Sequence, residues 1–149
     1  MILDQHTEDV KWSLAMNDIY TWMLEHDFFE YGRVIEAKDF RELFGIVLPE
    51  VGTYKDFKEV ELKELQCVGF CRDKLLKQGK YLTQDKDTYR VLLPSENKTQ
   101  VESYMTSADR KLKRAILLSK NTPQSVKNMS GVRAIAELKR ESIRERLTA

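Results

Sequence analysis

The chain has 149 residues and a mass of 17.5 kDa, which is one domain, or one domain with a helical appendage, and excludes two full-sized domains. With 42% hydrophobic and 33% charged residues it is apolar enough to bury a core, so disorder over most of its length is excluded. The net charge of +1 hides an asymmetry: residues 1–94 hold 13 Lys/Arg and 18 Asp/Glu, whereas residues 95–149 hold 12 and 6. A basic segment set apart in this way suggests an interaction role.

The first amphipathic segment opens near Thr7-Glu8-Asp9, where Thr7 can cap and the acids complement the positive helix end. Val10, Leu14, Ile19, Trp22 and Met23 recur at helical spacing, with Trp12, Ala15 and Met16 widening the stripe, so this helix is expected to be buried on more than one side. Gly32 is its natural stop, and Val34-Ile35 a short extended or turn connection. A shorter helix follows from Ala37 to Phe44, with Phe40, Leu43 and Phe44 on its buried face and Gly45 at its end. Residues 46–57 contain Pro49 and Gly52 and read as a loop.

A longer helix is predicted from Lys58 to Gln78, with Leu62, Leu65, Val68, Gly69, Leu75 and Leu76 facing inward and Gly79 at its C-terminus. The period then changes. Residues 80–83 and 88–93 are β-prone runs separated by the polar turn Gln84-Asp85-Lys86-Asp87, which is hairpin chemistry, and Pro94 closes the unit. Two helices complete the chain, one over Glu96–Lys120 with Ser95 as a cap, the other over Gln124–Leu147 after Thr122-Pro123, with Ser130-Gly131 as a weak point.

Helix, short helix, longer helix and hairpin, over about residues 8–94, is an order that resembles the winged helix-turn-helix superfamily. The resemblance implies a fold that is mainly α with one small β-hairpin: a winged-helix-like domain over residues 1–94, then a basic helical hairpin or extension over 95–149. It places Lys58–Gln78 as recognition helix and Lys80–Leu93 as wing. The connection from Gly45 to Phe57 is longer than the tight turn such domains usually have.

A winged helix resembles a nucleic-acid reader, and affinity for phosphate needs cations. On the third helix, Lys63, Gln66, Phe70, Lys74 and Lys77 share the side opposite the apolar stripe, and Lys80, Lys86 and Arg90 add cations on the wing. Glu59, Glu61 and Glu64 crowd the helix start, where they would repel phosphate, although acids also stabilise a helix start. Arg110, Lys111, Lys113 and Arg114 form a second basic group, spread over an arc that leaves Leu112 and Ile116 to pack inward. Arg133, Lys139, Arg140, Arg144 and Arg146 read as a solvated face balanced by Glu137, Glu141 and Glu145.

Catalytic, metal and cofactor sites are not expected. Cys67 and Cys71 with His6 and His26 are a weak zinc set, and buried reduced thiols are the simpler reading. Glu25-His26-Asp27 point in different directions on a helix and make no acid–base constellation. No Gly-rich phosphate loop, G-x-S-x-G or H-E-x-x-H motif occurs. No apolar run approaches the roughly 18 residues that cross a bilayer. The first residues lack the features of a secretory signal, and two cysteines make no disulfide framework, so the cytoplasm is the expected compartment. The leading expectation is a small, non-enzymatic, DNA-binding regulator, with a possible homodimer through the C-terminal helices. The alternative is a protein-binding adaptor or inhibitor, of the kind a virus or mobile element encodes, acting on a nucleic-acid-handling partner.

Overall fold

The computed structural model describes the backbone of residues 2–123 and 129–148, and the side chains of 11–123 and 129–148. The chain divides into two compact units, Met1–Asn97 and Lys98–Ala149.

In the amino-terminal unit, α1 runs from Ile2 to Glu25. It begins before Thr7, which therefore lies inside the helix and not at its cap. Met16, Tyr20 and Met23, spaced four and three apart, are the side chains it buries among the described residues. Leu14 and Trp22 are exposed, so α1 is buried on one side rather than on several. The helix stops seven residues before Gly32. Asp27, at φ 62°, takes the left-handed conformation, and the Phe28 N–H turns back to the Met23 carbonyl at 3.0 Å.

Val34–Glu36 forms β1, a third strand where the sequence suggests only a connection. It pairs antiparallel with β3 (Thr88–Val91), which also pairs with β2 (Leu82–Asp85), giving the order β1-β3-β2. Three residues are too few for alternation to reveal a strand; the ladder with β3 is what defines it. Asp85 lies opposite Thr88, so the hairpin turn is the two residues Lys86-Asp87 and not the four expected. Lys86 takes a positive φ of 55°, the left-handed geometry that tight hairpins use.

Between β1 and β2 lie α2 (Ala37–Leu43) and α3 (Tyr54–Leu76). As expected, α2 buries Phe40 and Phe44, with Leu43 half-buried. Helix α3 starts four residues earlier than its apolar period suggests, because Thr53 and Asp56 form a capping box: the Thr53 hydroxyl accepts from the Asp56 N–H, and the Asp56 carboxylate accepts from the Thr53 N–H at 2.9 Å. Thr53→Ala is expected to cost about 1 kcal/mol, read as a lower urea midpoint at unchanged slope.

The inward face of α3 is Cys67, Val68, Cys71 and Leu75; Val68 and Leu75 lie where the sequence reading puts them, whereas Leu62, Leu65 and Leu76 do not. Leu62 is 57% exposed, Leu65 62% and Leu76 49%. The two cysteines occupy the i, i+4 positions against the core, which turns those three leucines to other sides of the helix. The core also takes Phe29, Ile35, Leu82, Tyr89 and Val91 from the sheet and its approaches.

The carboxy-terminal unit contains most of α4 (Pro94–Asn121) and all of α5 (Met129–Thr148). Pro94 opens α4, where a missing N–H costs nothing. The Thr122 hydroxyl, just past the end of α4, donates to the Leu118 carbonyl at 2.6 Å. Helix α5 passes through Ser130-Gly131 without interruption. The expected start of that helix at Gln124, and Val126, lie outside the described residues. Ile116 and Ala136 are buried, and Asp109 ties the helices together through Arg140 (3.0 Å) and Arg144 (3.6 Å).

Candidate nucleic-acid interface

The six cations expected on α3 and the hairpin differ in exposure and in partners. Lys63 and Lys77 are exposed on α3, and Lys86 is exposed at the hairpin tip. Lys74 is half-buried with its Nζ 5.6 Å from the Phe70 ring centre, and Lys80 is half-buried with its Nζ 5.3 Å from that of Tyr31. Arg90 is committed elsewhere: its two terminal nitrogens donate to both carboxylate oxygens of Glu96, at 2.7 and 2.8 Å.

Glu96 also accepts from the Leu93 N–H at 3.1 Å. The Arg90 hydrogen bonds first, and that backbone bond second, hold its carboxyl down at about 2. A carboxylate depressed in the folded state adds stability above its unfolded value near 4.5 and loses it as pH falls through 2. Glu96→Gln should therefore melt below the wild type at pH 7, and the difference should shrink between pH 4.5 and pH 2 in a thermal-denaturation series.

Of the three glutamates that crowd the α3 start in sequence, Glu59 and Glu61 are exposed, and Glu61 pairs with Lys58 at 3.0 Å. Glu64 turns inward. It accepts from the Tyr89 hydroxyl at 2.6 Å and from Arg41 at 3.4 Å, joining α3, β3 and α2. Burial and this carboxylate both raise the Tyr89 pKa, which keeps the phenol protonated as donor. That structural role escapes the sequence reading; its only signal is the position of Glu64 three residues before Cys67, on the core-facing side. Arg41, Glu64 and Tyr89 line an open cleft of about 410 Å³ with Leu48, Leu65 and Lys86.

Helix α4 gathers cations differently. Arg110, Lys111, Lys113 and Arg114 are all exposed, while Leu112 is half-buried and Ile116 buried. At about 100° per residue the four side chains cover the half of the helix turned away from those two. None of them is held in an ion pair among the described residues, since Asp109 is taken by Arg140 and Arg144.

Cys67 and Cys71 are buried free thiols, and burial, the largest cause for each, pushes both up to about 12. The exposed His26 stacks on Trp22 with ring centres 4.1 Å apart, its Nδ1 2.8 Å from the Trp22 carbonyl oxygen. The His6 side chain lies outside the described residues. Among the described residues no group of three or more His, Cys, Asp or Glu is placed to hold a metal ion, and no helix is long and apolar enough to cross a membrane. No protein-family model matches the chain, and neither a curated protein nor a solved structure matches it.

Proposed function

We propose that the chain is a small, non-enzymatic nucleic-acid-binding regulator of winged-helix type, whose phosphate contacts fall to α4 more than to α3. The winged-helix reading draws support from the order α1-β1-α2-α3-β2-β3 and from a two-residue hairpin turn at the place of the wing. The observation that carries the nucleic-acid reading is the run Arg110, Lys111, Lys113 and Arg114, exposed on one half of α4 and in no ion pair among the described residues. On α3 and the hairpin, by contrast, Arg90 is spent on Glu96, and Glu59, Glu61, Asp85 and Asp87 are exposed on the same elements as the cations. The mechanism is occupancy of a duplex site, with phosphate contacts supplying most of the affinity.

A mobility-shift titration with mixed duplex DNA at low salt, repeated at higher salt, tests it. Binding that weakens steeply with salt is the expected result; no binding at low salt would overturn it. A second reading, a protein-binding adaptor or inhibitor, is favoured by one feature: the first half of α3 presents apolar side chains where a base-reading helix would present polar ones. A pull-down for protein partners separates the two.

A further inference from the structure

Where α1 meets α2, aromatic side chains form one surface. Trp22, 43% exposed, stacks on His26, and its ring centre lies 5.6 Å from that of Phe28. Leu43 of α2 lines two hollows on this side of the unit. One, of about 250 Å³, it shares with Ile19 and Trp22; the other, of about 410 Å³, it shares with Phe28. Leu43 and the Trp22–Phe28 contact join the two into one apolar groove. Stacking on His26 holds the Trp22 indole in place, so a partner need not order it on binding.

The charges around this groove are unequal. Asp18 borders the first hollow and Asp39 and Glu42 the second, against the single lining cation Arg33, which lies over the Phe28 ring at 5.1 Å. The neighbouring chain does not balance them. From Trp12 to Gly32 there is no Lys or Arg, whereas Asp18, Glu25, Asp27 and Glu30 are all exposed. On α2, Arg41 is turned to Glu64, and Lys38 lines neither hollow. Carboxylates around an apolar floor repel DNA, anionic lipid and the same face of a second copy, and they attract lysine and arginine.

We propose that this groove docks a segment of another protein in which apolar anchor side chains stand beside lysines or arginines. The anchors fill the hollows on either side of Leu43, with Trp22 as the main contact, and the basic residues reach Asp18, Asp39 and Glu42 at the rim. The docking surface belongs to the amino-terminal unit alone and does not rest on the nucleic-acid reading.

A phage-displayed library of random peptides, panned against the full chain, tests it. Peptides that enrich should combine aliphatic or aromatic residues with lysine or arginine. In fluorescence anisotropy they should bind the wild type more weakly as salt is raised. Trp22→Ala should weaken that binding roughly a hundredfold, and Asp18→Lys/Glu42→Lys roughly tenfold. Leu62→Lys, at an exposed position of α3 outside the groove, should leave it unchanged. Circular dichroism on each variant separates lost binding from unfolding, and the exposed Asp18 and Glu42 keep the test open should Trp22→Ala fail to fold. Enrichment of acidic or uncharged peptides, or no enrichment, overturns the proposal. So does binding that Leu62→Lys weakens and the groove substitutions do not. A dimer of the full chain in sedimentation equilibrium that Asp18→Lys/Glu42→Lys dissociates also overturns it, because the occupant is then the basic half of a second copy.

Discussion

Phe40→Ala is expected to remove about 3–5 kcal/mol from the stability of the amino-terminal unit. Phe40 has no solvent exposure, and its ring centre lies 4.7 Å from that of Phe44 and 5.0 Å from that of Tyr89. With the Ala37 N–H, which donates to the Asp87 carbonyl at 2.7 Å, it ties the short helix α2 to the sheet. Truncation removes the transfer energy of a whole aromatic side chain and leaves a cavity lined by rings that cannot collapse into it. The loss compares with the roughly 5–15 kcal/mol that holds a typical domain folded. Urea unfolding followed by tryptophan fluorescence checks it, since Trp12 and Trp22 both lie on α1, in the same unit. A loss below about 1 kcal/mol would mean that α2 contributes little to holding this core together.

Reversing the α4 cations is the second large effect. In Arg110→Glu/Lys111→Glu/Lys113→Glu/Arg114→Glu, duplex binding should fall below detection at moderate salt. Each phosphate contact contributes about −0.9 to the slope of log affinity against log salt, so four lost contacts should flatten that slope by up to about 3.6. The four positions are exposed, so the helix should survive and circular dichroism should be unchanged. Reversal of Lys63 and Lys77 on α3 is the comparison. If it weakens binding as much as the α4 set does, the contact lies on α3 and the assignment to α4 is wrong. The two experiments together measure which helix meets the phosphates.

Much of the fold was legible in the chain because it is local. Ala37 to Phe44 shows its helix through Phe40, Leu43 and Phe44, and Gly45 and Gly79 stand at helix ends with φ of 67° and 72°. The α4 cations were legible for the same reason: on an amphipathic helix, the positions of Leu112 and Ile116 dictate which side faces water. Periodicity misled where a helix extends past its partners. On α3 the sequence reading faces Leu62, Leu65, Val68, Gly69, Leu75 and Leu76 inward; the core accepts Val68 and Leu75 together with Cys67 and Cys71 and leaves Leu62, Leu65 and Leu76 exposed, and the spacing of either set is compatible with a helix.

What the sequence by itself determined, then, is the alternation of helix and hairpin, the stops at Gly45 and Gly79, and the separation of an acidic half from a basic one. Those follow from spacing, backbone preference and composition, all of which act over a few residues. The tertiary structure alone decided that Val34–Glu36 becomes a strand, that Glu64 turns in to bind Tyr89 and Arg41, and that Arg90 is held by Glu96. Each of these depends on a partner brought close by the fold. A strand exists only through its ladder, and a charge is available to a ligand only when no opposite charge in the fold has already claimed it.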